Sequence, residues 1–216
     1  MIDKNTFTYW DNIKVGDIIQ LTDKQTIEYL IKEGIKNIEN GADFKVVRIK
    51  DIAEQKNLIK WKILYIELNN FQWYLIIKEI GGDVQVKIYY QPDDFKNGNR
   101  QDIVDSNFRY FFKEPSDVNN FKVEDLEFTD IIKEDNGTEF KADAIFYGTA
   151  IEDGEETFAT VIEYRTDRDV ENPELLILEF NNINKDEEKV DVDFTNSFIT
   201  YLQGCLANVE EISVLK

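Results

Sequence analysis

Histidine is absent from the 216-residue chain, cysteine and methionine occur once each, and proline only three times. Without imidazole there is no Ser-His-Asp or Cys-His nucleophile, no imidazole general base and no His-containing zinc or non-haem iron site. The lone Cys205 forms no disulfide within the chain, which fits a reducing compartment. With no imidazole to activate it, Cys205 reads as a small buried hydrophobe rather than a catalytic thiol. No stretch approaches the ~18 apolar residues of a membrane span, and the opening MIDKNTFTYWDN lacks the basic-then-apolar run of a signal peptide. The expectation is a cytoplasmic protein with no membrane segment. G-x-G-x-x-G and Walker-type loops are also missing, so the sequence offers no support for a nucleotide, and no cofactor is expected.

What the chain does contain is ample apolar and acidic material. At 42% hydrophobic and 13% aromatic it lies far from the composition of disordered segments and can bury a sizeable core. Lysine (20) far exceeds arginine (5), and isoleucine (27) and asparagine (19) are abundant, the bias of an AT-rich genome. Acids outnumber bases by 44 to 25, and the excess is uneven. Residues 1–110 carry 16 Lys or Arg and 17 Asp or Glu, whereas residues 111–216 carry 9 and 27, a net of −18. The main basic stretch runs over residues 45–62, with Lys87, Lys96, Arg100 and Arg109 beyond it. Such asymmetry means two lobes with different partners, an acidic lobe held partly against its own basic neighbour, or solubility alone.

Hydrophobic periodicity supplies the elements. Val15-Gly16-Asp17 forms a turn ahead of a short strand over Ile18, Ile19 and Leu21. Thr22 with Gln25 fits a capping box, and Ile27, Leu30, Ile31, Ile35 and Ile38 recur at helical spacing, giving a helix near residues 24–39. Residues 44–52, 58–68, 71–80 and 84–90 read as strands of an antiparallel meander, with Asn69-Asn70 and Gly81-Gly82 as turns. Trp61, Ile63 and Tyr65 fall on one face of this meander, with both faces partly covered, and Trp61, Trp73, Tyr74, Tyr89 and Tyr90 read as core and cross-strand packing. Phe108, Tyr110 and Phe112 mark a further strand, and residues 113–120 a linker.

A second set of strands follows over residues 140–151, 157–165 and 174–180, with turns at Asn136-Gly137 and Asp153-Gly154 and a loop around Asn172-Pro173. Phe44-Lys45-Val46 and Phe121-Lys122-Val123 open the two halves alike, which suggests a duplication. Ala142, Ala144, Phe146, Gly148 and Ala150 give one strand a face of mostly small residues. Phe194, Phe198, Leu202, Cys205, Leu206 and Val209 recur at helical spacing behind Asp193 or Thr195 as cap. A helix near residues 194–207 would pack on the small face, or a ligand groove would occupy it, and residues 212–215 would form a last strand. The expected architecture is α+β: antiparallel β-meanders in one compact unit of two lobes, with helices near 24–39 and 194–207. Residues 1–113 form a near-neutral aromatic lobe and residues 118–216 a strongly acidic lobe with a C-terminal helix.

Residues 9–90 carry a resemblance. Val15-Gly16-Asp17 before a short strand, the Phe-x-Val-Val run of Phe44 to Val47, and Trp61 and Trp73 on adjacent strands with Tyr65, Leu68 and Leu75 resemble the uncharacterised bacterial domain family numbered 4178. The helix after Thr22 is longer than that pattern has. The resemblance implies a bacterial β-rich domain and brings no activity and no catalytic residue.

Carboxylates are the abundant candidate chemistry. Glu152, Asp153, Glu155 and Glu156 crowd one turn, Glu124, Asp125 and Glu127 another segment, and Asp186, Glu187 and Glu188 a third. Paired carboxylates perform acid and base work when one is buried enough to hold a proton, whereas these are flanked by polar residues. The calcium-loop template fails at Asp167-x-Asp169-x-Glu171, where Asn172 and Pro173 replace the turning glycine, and at Asp191-x-Asp193-x-Thr195, which ends on Leu202. No catalytic, cofactor-binding or metal residue is assigned. The functional expectation is a non-catalytic interaction module whose acidic lobe binds a basic protein or a polycationic small molecule. The charge argues against nucleic acid. The alternatives are a carboxylate-dependent hydrolase and a structural subunit that assembles through a strand edge.

Overall fold

The computed structural model describes residues 3–32, 34–91, 131–133, 139–166, 174–185 and 190–216. The strand at Phe108 to Phe112, the linker at 113–120, the run at 121–123, the boundary between lobes at 113 to 118, the turn at Asn136-Gly137, the loop around Asn172-Pro173 and the basic residues Lys96, Arg100 and Arg109 lie outside the described residues.

The described residues correct the α+β expectation: they form a mostly antiparallel β fold. The α-helices among them are α1 (Phe7–Asp11) and α2 (Lys24–Lys32). Two compact units divide the chain, Met1–Tyr90 with Gly204–Lys216, and Gln91–Gln203.

In the first unit the meander of β2 (Ala42–Glu54), β3 (Ile59–Leu68), β4 (Phe71–Ile80) and β5 (Asp83–Tyr90) follows chain order, flanked by β1 (Ile18–Leu21) and, beyond it, β11 (Ile212–Leu215). Two-residue turns set its register. Asn69 and Asn70 (φ 52° and 66°) and Gly81 and Gly82 (φ 60° and 94°) take the left-handed conformation that primed hairpin turns require. Leu68 consequently pairs with Phe71, and Ile80 with Asp83. On both β3 and β4 six consecutive residues are buried, so the sheet is covered on both faces and strict alternation is lost.

On one face Leu64, Ile66, Trp73, Leu75, Val86 and Ile88 pack with Trp10 of α1 and Ile27 and Leu30 of α2. Tyr29 of α2 lies 6.2 Å from Tyr90, which in turn lies 5.3 Å from Trp73. The helix near 24–39 is shorter than its apolar stripe suggests. Gly34 adopts φ 97° just beyond Lys32, and a left-handed residue there ends a helix. Ile35 and Ile38 are still buried, from an irregular segment rather than a helix. Its cap is Asp23, whose Oδ2 accepts from the Thr26 amide at 2.9 Å, and not Thr22. The Thr22 hydroxyl donates instead to the Glu211 carbonyl at 3.0 Å. That bond is part of a seam between the two ends of the chain, in which Ile18 pairs with Leu215 and Lys216 Nζ donates to Asp17 Oδ2 at 2.8 Å. The hydrogen bond from Lys216 holds the Asp17 carboxyl below the usual carboxylate range.

The second unit is also a meander, β6 (Ile131–Lys133), β7 (Glu139–Glu152), β8 (Glu155–Thr166), β9 (Glu174–Lys185) and β10 (Val190–Leu206), in chain order. Asp153 and Gly154 (φ 49° and 83°) make the β7–β8 turn. The helix near 194–207, the C-terminal helix of the acidic lobe, does not exist, because β10 occupies those residues. A spacing of four is ambiguous: Phe194, Phe198, Leu202 and Leu206 share one face of a helix and equally one face of a strand. Val190, Val192 and Thr195 favour the extended form, and Gly204 weakens a helix. No such helix therefore covers the small face of β7. Gly148 and Ala150 are nonetheless buried, and the alternation that defines the face is broken where Ala142 pairs with Tyr164 but Ala144 with Glu163.

Candidate functional site

Charge divides between the units as it does between the halves of the sequence. The first unit carries 14 Lys or Arg and 15 Asp or Glu, and the second 11 and 29, net charges of −1 and −18. The sharpest described acidic feature is the β7–β8 hairpin tip. The Asp153-Gly154 turn pairs Glu152 with Glu155 and Ile151 with Glu156, so four carboxylates meet within two rungs of the ladder. Asp153, Glu155 and Glu156 are exposed and Glu152 is half-buried. Like charges this close repel unless water or a cation screens them, which suits the tip to meeting positive charge. The clusters at Glu124 to Glu127 and Asp186 to Glu188 lie outside the described residues. Among the described residues no group of three or more acidic or cysteine side chains could hold a metal ion. Cys205 is half-buried on the last residues of β10.

The other concentration of functional groups lies on the second face of the β2–β5 meander. Tyr65 pairs with Arg48 and Tyr74, Ile63 with Lys50 and Ile76, and Trp61 with Lys78; Ile76 pairs in turn with Lys87 and Tyr74 with Tyr89. The Arg48 guanidinium sits 4.6 Å from the Tyr65 ring centre and Lys78 Nζ 5.8 Å from that of Trp61, cation–π distances. Tyr65 and Tyr74 lie 5.2 Å apart at 60°. Lys50, Lys78 and Lys87 are each at most 9% exposed. Burial, with the Arg48 charge adding to it, lowers the Lys50 ammonium to about 8. Burial raises the Tyr65 phenol to about 12, opposed by Arg48 and assisted by Tyr74. Lys50 is thus partly neutral near physiological pH, a state that amine chemistry uses, but within a packed face it serves packing.

Sequence reasoning located the aromatic residues correctly as packing: Trp61, Trp73, Tyr74 and Tyr89 are buried and Tyr90 is partly so. It missed the burial of the lysines. The available signal was their setting, Ile76-Ile77-Lys78 and Val86-Lys87-Ile88, where a cation interrupts a run that is otherwise covered on both faces. No family model, curated protein or solved structure matches the chain, and the resemblance of residues 9–90 to the family numbered 4178 rests on its short motifs alone.

Proposed function

We propose that the chain is a non-catalytic interaction module whose acidic second unit meets a basic protein surface or a polycationic small molecule. The observation that carries this reading is the coincidence of the charge division with the division into compact units, −1 against −18. A charge excess confined to one unit steers partners of opposite charge to that unit, and does so less as ionic strength rises. The hairpin tip supports binding, because Asp153, Glu155 and Glu156 are exposed and open to a partner of opposite charge.

The test is titration of the full chain with polylysine at roughly 50 mM and roughly 500 mM salt, spacings over which counterion-dependent binding falls steeply. Binding is expected at low salt and lost at high salt. Neutralising the tip with Glu152→Gln, Asp153→Asn, Glu155→Gln and Glu156→Gln should weaken it about tenfold, given a few tenths of a kcal/mol per exposed pair. Asn tolerates the left-handed conformation at 153, so the turn survives. The same number of changes in the first unit, at the exposed Glu28, Glu39, Glu67 and Asp83, should leave affinity within about twofold. Binding insensitive to salt, or equally sensitive to both sets of substitutions, overturns the reading.

A further inference from the structure

The first unit contains a cleft of about 450 Å³ where four segments converge. β1 supplies Gln20, the segment after α2 supplies Asn37 and Asn40, the start of β2 supplies Asp43, and the β3–β4 turn supplies Asn69. Antiparallel pairing brings β1 and β2 together: Gln20 stands opposite Asp43, and its Nε2 donates to Asp43 Oδ1 at 3.1 Å. That bond orients the carboxylate and leaves Oδ2 to accept from a ligand. Asn37 and Asn69 hold φ of 63° and 52°, the left-handed conformation that asparagine tolerates. Apolar wall is provided by Ile38 and Leu68. Directly opposite the lining residue Leu68 across the hairpin stands Phe71, on the same face of the ladder and 66% exposed.

The chemistry of the lining narrows the ligand. No cation lines the cleft, so nothing neutralises a phosphate or carboxylate. A single carboxylate among amides is too little charge for a dedicated divalent site, which draws on several oxygen anions. Three asparagines and a glutamine each present a donor and an acceptor, the pattern that matches neighbouring hydroxyl groups, each of which both donates and accepts. A carboxylate oxygen accepts from two such hydroxyls at once, and an exposed aromatic ring offers an apolar surface to the C–H face of a sugar. The lining is mostly polar, with Ile38 and Leu68 as its apolar part, and a space of about 450 Å³ admits a small polar molecule. We propose that this cleft binds a neutral saccharide, one or two rings in length, with Phe71 as the stacking platform and Asp43, Asn40 and Asn69 as the hydroxyl-reading groups. This site lies in the near-neutral unit and is independent of the acidic surface.

The experiment is amide-detected NMR titration of the full chain with glucose, galactose, N-acetylglucosamine, maltose and lactose, each to about 50 mM, a range that reveals millimolar affinity. At least one sugar should shift the backbone and side-chain amides of Asn37, Asn40 and Asn69 together with Phe71, saturably. Phe71→Ala, which removes an exposed ring and leaves the core intact, should weaken that sugar about tenfold, and Asp43→Asn about fivefold, with strand dispersion unchanged. Glucose 6-phosphate should bind no better than glucose. The proposal is overturned if none of the sugars shifts these residues, if the shifts persist unchanged in both variants, or if the phosphorylated sugar is preferred.

Discussion

The two units are built from the same material, long antiparallel strands, and their described residues handle charge in opposite ways. In the first, cations are carried into the sheet: Lys50, Lys62, Lys78 and Lys87 are between 4% and 9% exposed. In the second, Asp153, Glu155 and Glu156 at the end of the β7–β8 hairpin are exposed. Side-chain length explains the difference. Four methylenes let a lysine lie along apolar or aromatic surface while its ammonium reaches a partner, as Lys62 does with Asp51 at 2.6 Å and Asp11 at 3.4 Å. Asp and Glu have one or two methylenes and pull their charge in with them if buried, which fits the exposure of Asp153, Glu155 and Glu156 at the hairpin end.

The largest effect expected from breaking this comparison comes at the chain's end. Residues 204–216 follow the acidic unit in sequence but belong to the first. Truncation after Gln203 removes the fully buried Ile212, the Ala207 amide that donates to the Val86 carbonyl at 2.9 Å, and all of β11. A loss above about 4 kcal/mol is expected, from the buried apolar side chain and the stripped strand edge together. Hydrogen exchange should show β1 and β2 deprotected first. A truncated chain with native protection in β1 would mean that the two units are not divided as described.

Next in size is Gly204→Ala. An added Cβ would stand 2.1 Å from the Ile88 carbonyl oxygen and 2.5 Å from the Tyr89 ring, so backbone must move. A cost of about 2 to 3 kcal/mol is expected, read as a lower urea midpoint at unchanged slope. Gly148→Ala, on the small-residue strand of the second unit, makes the matching comparison between the units.

Much of this fold was legible because its signals are local. Asn69-Asn70, Gly81-Gly82 and Asp153-Gly154 announce their turns through the few residues that accept positive φ, and the strand limits followed from them. The last strand at 212–215 is where it was expected, although the helix expected before it is absent. The helix near 194–207 was misread because residues four apart satisfy both periods, and the helix near 24–39 ran too far because its buried stripe outlasts its hydrogen bonding. The α+β reading fell with the first of these. The acidic excess was plain in composition. The cleft was not, since Gln20, Asn40 and Asn69 become neighbours only through β1–β2 pairing and a hairpin nearly fifty residues further on.

A smaller effect separates the units by salt. Screening relieves self-repulsion in a unit of net −18 and does little for one of −1. Raising salt from roughly 20 mM to roughly 1 M should increase exchange protection in β8 by about 1 to 2 kcal/mol and change β3 and β4 by less than half of that. Equal gains in both units would show that the excess is dispersed by pairing, and the contrast would lose its physical content.

The smallest effect tests whether buried cations in the first unit are tolerated rather than stabilising. The folded Lys50 titrates near 8 against 10.5 for a free lysine, so between these values the unfolded chain holds a proton that the folded chain has released. Stability therefore rises with pH across that window. Tyr65 acts in the opposite sense. Its folded value near 12 exceeds the ordinary 10, so the folded chain keeps a proton that the unfolded chain loses, and stability falls from pH 10 upward. Each contribution is expected to be about 1 kcal/mol or less once partial solvent screening is counted. Lys50→Met should flatten the rise above pH 8 and leave the later fall, and Tyr65→Phe should do the reverse, both read from urea midpoints taken at half-unit pH steps. If Lys50→Met left the rise intact, another group would own it, and burial of the Lys50 ammonium would not be its cause.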